Sequence, residues 1–103
     1  MTYQETPLEK IYIIQPITQE NAGKYRILHA EAVSLIESAG AAYAGTIYQN
    51  VREVHSATFI GSGKVLELRD RLQSLKDITV LFNGELSPSQ TLNISALLDG
   101  NIF

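Results

Sequence analysis

The sequence predicts an α/β fold: a small three-layer domain with a mostly parallel sheet of about four strands, in the order β-α-β-α-β-α-β, and helices on its faces. Two observations support this prediction. Continuous apolar runs of strand length, Ile11–Ile14 and Ile78–Phe82, are typical of strands buried on both faces. The stretches between such runs have helical spacing, and a strand–helix–strand connection joins parallel strands through a right-handed crossover.

The first half of the chain predicts a strand and a helix. Residues 1–9 are polar, contain Pro7 and read as a loose lead-in, and Lys10–Ile17 is the first strand. From about Asn21 the apolar period becomes helical, and Gly40 ends the helix because glycine readily adopts the left-handed conformation needed there. The predicted inner stripe of this helix is Leu28, Ala32, Leu35, Ile36 and Ala39.

The middle of the chain predicts a second strand and a second helix. Residues 41–48 read as the strand, with the rings of Tyr43 and Tyr48 in or beside the sheet. Residues 50–56 are polar and charged and are expected to form an exposed loop. The helix follows Gly61–Gly63, with an inner stripe of Val65, Leu68, Leu72 and Leu75.

The last third predicts a third strand, a capped helix and the start of another strand. Ile78–Phe82 is the buried strand. Ser87 is the N-cap of the helix, Pro88 its first residue and Gln90 its third, which is the pattern of a capping box. The helix runs to about Leu98, and Asn101–Phe103 opens a fourth strand that the chain does not complete.

Composition limits the possible functions. The chain has 103 residues, enough for one small domain, and 45% hydrophobic and 18% charged residues are ordinary for a globular protein. The formal net charge of −3 argues against a surface that is positive all over, although a local basic patch stays possible. With no cysteine, the chain has no disulfide, thiolate metal site or cysteine nucleophile.

Simple sequence patterns predict the cellular location and the absence of a metal site. No apolar run reaches the roughly 18 to 20 residues of a membrane span, and the N-terminus lacks the basic-then-apolar order of a signal peptide. These features and the absence of cysteine predict a cytoplasmic protein. His29, expected to be partly buried, and His55, expected to be exposed, have no partner at ligand spacing, so no metal site is predicted.

The most informative stretch is Phe59–Leu68, in which an apolar run breaks into a glycine turn and then opens a helix. Gly61, Ser62, Gly63 and Lys64 leave backbone N–H groups uncovered at a helix N-terminus, a place that favours phosphate. Arg52, a nearby cation, joins these four as a candidate phosphate or RNA ligand.

Two alternatives qualify this site. A P-loop requires a glycine where Thr58 stands and a Ser or Thr where Val65 stands, so no hydroxyl is placed to hold magnesium and the P-loop reading is rejected. The turn could instead be purely structural, with Lys64 in solvent. Ser62 has no local base and is not predicted to be a nucleophile.

A second segment, Glu85–Gln90, pairs with the glycine turn. Together the aromatic-Ile-Gly-x-Gly-Lys-Val-x-Glu-Leu segment and the acidic-Leu-Ser-Pro-x-Gln segment resemble the N-terminal domain of the HflX family of ribosome-associated GTPases. The resemblance covers roughly residues 28–98 and includes an Ala-Gly-Ala strand entry at Ala39–Ala41. The family usually has two acidic residues before Leu-Ser-Pro, whereas this chain has Gly84 and Glu85, so a role for the first acid does not carry over.

The resemblance implies a function for the parent protein. The chain would be a single N-terminal regulatory and ribosome-contacting domain, residues 1–103, without the G domain and without catalysis of its own. The parent would bind GTP and magnesium, hydrolyse GTP and associate with the large ribosomal subunit, through ribosomal RNA, in ribosome splitting or rescue. The other partner implied is its own G domain.

Two further expectations remain open. The domain could instead be an autonomous ATP-, GTP- or phosphate-binding module that uses the glycine turn. The interrupted strand at Ile102 and Phe103 is also expected to cause weak self-association of a truncated chain, because an open sheet edge offers unpaired backbone groups.

Overall fold

A computed structural model describes residues 9–75 and 77–98 of the chain. Strands and helices alternate along it, as the apolar runs and the helical spacing predict. The elements in chain order are β1 (Lys10–Ile17), α1 (Tyr25–Ser38), β2 (Ala42–Asn50), α2 (Ser62–Leu72), β3 (Ile78–Phe82) and α3 (Pro88–Leu98).

The described strands form one parallel sheet in the order β2-β1-β3. The crossover from β1 to β2 therefore leads one way along the sheet, and the crossover from β2 to β3 leads back past β1. Because both crossovers are right-handed in nearly all proteins, opposite directions place their helices on opposite faces. A register shift between Ile11 and Tyr12 interrupts the pairing of β1 with β2.

Two apolar layers enclose the central strand. Ile13 faces the α1 layer, where it packs with Ala32 and Ile36. Ile14 faces the opposite layer, a larger cluster that includes Val65 of α2 and Ile94 of α3. Successive residues of a strand point to opposite faces, so β1 must be apolar at consecutive positions. The α/β fold class and the burial of the first strand are confirmed.

The end of α1 shows the predicted glycine stop. Gly40 has a φ of +82°, and its N–H donates to the Glu37 carbonyl while the Ala41 N–H donates to the Ile36 carbonyl. This pair of hydrogen bonds is a Schellman motif, which turns the chain directly into β2.

Several predicted positions were wrong in detail. Leu35 was assigned to the inner stripe of α1, but it is 70% exposed, because α1 packs over β1 and β2 and its flank toward β3 is open. Ala39 in the same stripe is also exposed, since the helix ends at Ser38. Leu75 was assigned to α2, yet the helix ends at Leu72 and Leu75 is exposed. Val51, in the predicted exposed loop, is buried in the larger core cluster.

The element boundaries also differ at two places, in α1 and in β2. The structure begins α1 at Tyr25 instead of about Asn21, since residues 19–24 form turns. It extends β2 to Asn50, beyond the predicted end at residue 48. The fourth strand expected at Asn101–Phe103 lies outside the described residues, so the self-association expected there stays a prediction.

The burial of β1 gives a testable prediction for stability. Ile14 is 1% exposed, and Ile14→Ala should lower the free energy of unfolding by about 2 to 5 kcal/mol, because it leaves a cavity between the sheet and α2 and α3. The matched control is Ile27→Ala, at a position 63% exposed, which should change it by no more than about 0.5 kcal/mol. Urea unfolding measures both. Equal losses for the two variants would show that the core is misassigned.

Candidate functional site

The first turn of α2 carries the glycine-rich segment. Gly61 is the N-cap and has a φ of +89°, a conformation that residues with a side chain rarely adopt. No side chain caps this helix, and its first turn contains no acidic residue. A Cβ atom added at Gly63 would meet nothing within 4 Å. A Cβ atom at Gly61 would instead lie 3.2 Å from His55 Nε2, so the His55 ring borders the turn. The first-turn N–H groups have no side-chain cap, and the helix dipole favours an anion there.

The side chains around this turn do not fit a magnesium–nucleotide loop. Lys64 Nζ lies 3.2 Å from Glu67 Oε2, and both side chains are exposed, so the lysine already has a partner one turn along. Val65 follows Lys64 where a P-loop needs a hydroxyl, and it is buried in the core. The turn can offer N–H groups to a phosphate but no ligand for its metal ion.

The loop before α2 is held by α3. Gln90 Nε2 donates to the His55 carbonyl at 3.0 Å, and Asn93 Nδ2 donates to the Ala57 carbonyl at 2.9 Å. His55 and Phe59 also exchange backbone hydrogen bonds, and the Phe59 ring meets the Phe82 ring edge-on with centroids 5.2 Å apart. These contacts fix the loop that delivers Gly61 to the start of α2.

The Gln90 side chain also takes part in capping the start of α3. Its Oε1 accepts from the Ser87 N–H at 2.9 Å, and its own N–H donates to Ser87 Oγ at 3.1 Å, as in a capping box. Pro88 occupies the first helical position. One buried side chain therefore joins the loop that leads into the glycine turn to the Leu-Ser-Pro segment.

A groove of about 710 Å³ lies at the carboxyl ends of the strands. Arg52 lines it after β2, Lys24 before α1 and Glu85 after β3, and Glu20 adds a second carboxylate. None of Gly61–Lys64 belongs to this lining, so the groove contains Arg52 but not the rest of the predicted phosphate site. The sequence analysis did not identify Lys24 or Glu20.

Buried amides organise the base of this groove. Gln15 is fully buried, and its Oε1 accepts from Asn83 Nδ2 at 2.6 Å. Asn83 Nδ2 also donates to the Leu28 carbonyl at 3.1 Å, which ties the end of β3 to α1. Asn21 Nδ2 donates to the Pro16 carbonyl at 2.9 Å, and Asn21 and Thr18 exchange hydrogen bonds within the β1–α1 turn. The ends of β1 and β3 and the start of α1 are thereby connected.

A cluster of aromatic rings lies between α1 and the outer strand β2. The Tyr25 and Tyr48 rings meet edge-on with centroids 6.2 Å apart, and the His29 and Tyr48 centroids are 5.3 Å apart. His29 Nε2 and Thr46 Oγ1 are hydrogen-bonded at 2.6 Å. As expected, His29 is half-buried and the tyrosine rings lie beside the sheet, but the sequence did not show that they come together.

Arg26 extends this cluster into solvent. Its guanidinium carbon lies 5.7 Å from the centre of the Tyr25 ring, and its Nε donates to the Tyr25 hydroxyl at 3.3 Å. This hydrogen bond raises the pKa of Arg26 above its ordinary value, which is already far above the physiological range.

The fold and the groove define a small open-sheet α/β domain with a crevice outside the carboxyl ends of its strands. In such sheets ligands bind where the strand order reverses, which is where this crevice lies. Over residues 9–75 and 77–98, no three His, Asp or Glu side chains are grouped to hold a metal ion. No helix in that part of the chain is long and apolar enough to cross a bilayer.

Comparison with known proteins assigns the family. The model of the family described as GTP-binding GTPase N-terminal matches residues 28–103. The chain is 33% identical over 73 residues to GTPase HflX of Lacrimispora saccharolytica, which is 71% of this chain and 17% of that protein. It is 30% identical over 96 residues to GTPase HflX of Flavobacterium psychrophilum, 92% of this chain and 23% of that protein. GTPase HflX of Alkalihalophilus pseudofirmus is 40% identical over 67 residues, 65% of this chain and 16% of that protein.

The chain therefore belongs to the GTP-binding GTPase N-terminal family, the N-terminal domain of HflX proteins. The resemblance seen in the two sequence segments is confirmed. The aligned regions make up about a fifth of each of these relatives.

The double role of Gln90 can be separated by mutation. Gln90→Glu keeps the oxygen that accepts from Ser87 but replaces the donor to His55 by a second oxygen, so it should destabilise the fold by about 1 to 3 kcal/mol. Ser87→Ala removes the cap and should cost about 1 kcal/mol, and Ser87→Gly noticeably less. Urea unfolding measures these losses.

Hydrogen exchange distinguishes the two mechanisms. Gln90→Glu should speed exchange at the Phe59 amide, which bonds the same His55 carbonyl, more than in the first turn of α3. Ser87→Ala should speed exchange more in the first turn of α3 than at the Phe59 amide. The same exchange pattern in both variants would contradict the double role of Gln90.

Proposed function

We propose that this chain is the ribosome-contacting and regulatory N-terminal domain of an HflX-like GTP-binding protein that associates with the large ribosomal subunit in ribosome splitting or rescue. Membership of the family supports the assignment to such a protein. The parent would bind GTP and magnesium in a G domain outside these 103 residues and hydrolyse GTP there. This domain would regulate that activity by contact with the G domain and would act in the cytoplasm, where ribosomes are found.

One observation supports a phosphate-rich partner most directly. The chain leaves β2 at the carboxyl edge of the sheet, passes Arg52 and returns into the uncapped N-terminus of α2. A guanidinium and a set of open N–H groups thus lie on the same loop, at the same edge. Both are suited to phosphate oxygens of RNA.

The test uses the parent protein and purified large ribosomal subunits. Arg52→Ala and Lys64→Ala should each weaken co-sedimentation at low salt, while the free energy of unfolding changes by no more than about 0.5 kcal/mol, because both side chains are exposed. Arg71→Ala, an exposed cation of α2 further from the turn, is the matched control and should have little effect. Unchanged binding of both Arg52 and Lys64 variants at low salt would contradict the anion site.

The groove favours a second candidate, an autonomous nucleotide- or phosphate-binding module. Its position at the strand-order reversal is where open α/β sheets bind nucleotides, and Lys24 and Arg52 both line it. Titration with ATP and with GTP distinguishes the candidates. Amide shifts at Asn21, Arg52 and Gly84 would support a nucleotide in the groove, and shifts at Gly61–Lys64 would support the glycine turn. No shift with either nucleotide would exclude this candidate.

A further inference from the structure

The rings between α1 and β2 form an exposed surface. Tyr48 is 51% exposed and Tyr43 38%, although both belong to a strand of the sheet. They rest on His29 and Tyr25 of α1 instead of on the apolar core. We call this surface the α1–β2 face. Its members are Lys24, Tyr25, Arg26, His29, Tyr43, Thr46, Tyr48 and Arg52.

This face is positively charged in a chain whose net charge is −3. Residues 22–30 and 40–52, which supply it, contain three cations and no Asp or Glu. Lys24, Arg26 and Arg52 form no ion pair with the residues that the structure describes, whereas Lys64 and Arg69 of α2 are paired with Glu67 and Asp70. Carboxylates bound the face: Glu20 and Glu85 line the groove beside Lys24 and Arg52. Glu31 lines a pocket together with Arg26, and Glu53 follows Arg52 in the chain.

The combination of rings and unpaired cations suits single-stranded nucleic acid. Aromatic faces stack on nucleobases whatever their sequence, and cations beside them neutralise the phosphates. A duplex keeps its bases stacked inside, so exposed rings gain little from it. A peptide added to the outer edge of β2 is disfavoured, because the irregularity opposite Ile11 and Tyr12 interrupts that strand, and such bulges protect sheet edges.

We propose that the α1–β2 face binds unstacked nucleotides of single-stranded RNA, with Tyr43 and Tyr48 as stacking surfaces and Lys24, Arg26 and Arg52 as phosphate contacts. The inference takes its ribosomal setting from the proposed function and names the RNA element that the domain recognises. It also adds a contact on α1 and β2 to the one proposed at the α2 turn. Arg52, at the end of β2, belongs to both surfaces.

Fluorescence anisotropy tests this with the 103-residue chain and a labelled oligouridine of about 12 nucleotides, within the range that single-strand-binding grooves cover. The chain should bind the single strand at low salt and bind an RNA duplex of equal length more weakly. Tyr48→Leu should weaken single-strand binding about tenfold, which is a typical loss for one stacked base. Tyr48→Phe keeps the ring and should bind within about twofold of the original chain.

Cation variants complete the test. Arg26→Gln should lower the slope of log affinity against log salt by about 0.7, the amount expected for one phosphate contact on a single strand. Arg71→Gln, which removes an exposed cation of α2, is the matched control and should leave both affinity and slope unchanged. The amide spectrum of each variant shows whether it is folded. If Tyr48→Leu does not fold, Tyr48→Phe still gives a result.

The outcomes separate this inference from the proposed function. No binding to oligouridine at low salt, equal binding to the duplex, unchanged affinity in folded Tyr48→Leu, or a loss only in Arg71→Gln would each overturn the α1–β2 face. Large-subunit association of the parent protein could still hold in those cases. Single-strand binding that depends on Tyr48, in a parent protein that does not associate with the large subunit, would support this face and contradict the proposed function.

Discussion

The structure depends on the burial of β1 on both faces. Ile13 and Ile14 are adjacent in the chain and almost fully buried, one in each apolar layer, so helices must cover the sheet on both sides. Right-handed crossovers meet this requirement only when the chain leaves β1 in one direction and returns past it in the other. That reversal separates the loops at the carboxyl end of β1 and leaves the crevice between them. The same constraint that stabilises the core therefore creates the groove that Lys24 and Arg52 line.

Buried amides then determine how the loops at this edge are held. Gln15 lies inside the sheet without exposed surface, and Asn83 satisfies its side-chain oxygen, because an unpaired buried amide would cost free energy. Gln90 does the same between α3 and the loop at His55. These hydrogen bonds carry no charge and are directional. They hold the backbone in place while the charged side chains at the rim stay in solvent.

The sequence predicted the elements well because they depend on local patterns. The capping segment Ser87–Gln90 and the glycine stop at Gly40 each involve only neighbouring residues, and so does the apolar run of β1. Leu35 was misassigned because helical spacing cannot show how far a sheet extends beneath a helix. The bond from Gln90 to His55 and the contact of His29 with Tyr48 join residues 35 and 19 positions apart, and spacing does not predict such pairs. The charge of the α1–β2 face was visible in the sequence, as two stretches without any carboxylate, but its aromatic partners required the fold.

The distribution of charge is consistent with the proposed contact between this acidic domain and RNA. Salt screens exposed charges beyond about 8 Å at physiological ionic strength, so a partner responds to the local surface more than to the total charge of −3. On α2, Glu67 and Asp70 lie beside Lys64 and Arg69 and cancel most of their field at that distance. On the α1–β2 face Arg26 is held over an aromatic ring instead of a carboxylate, so its charge remains available to a phosphate. The uncapped α2 turn can add N–H groups to such a contact, whereas Lys24, Arg26 and Arg52 supply cations that form no ion pair with the described residues.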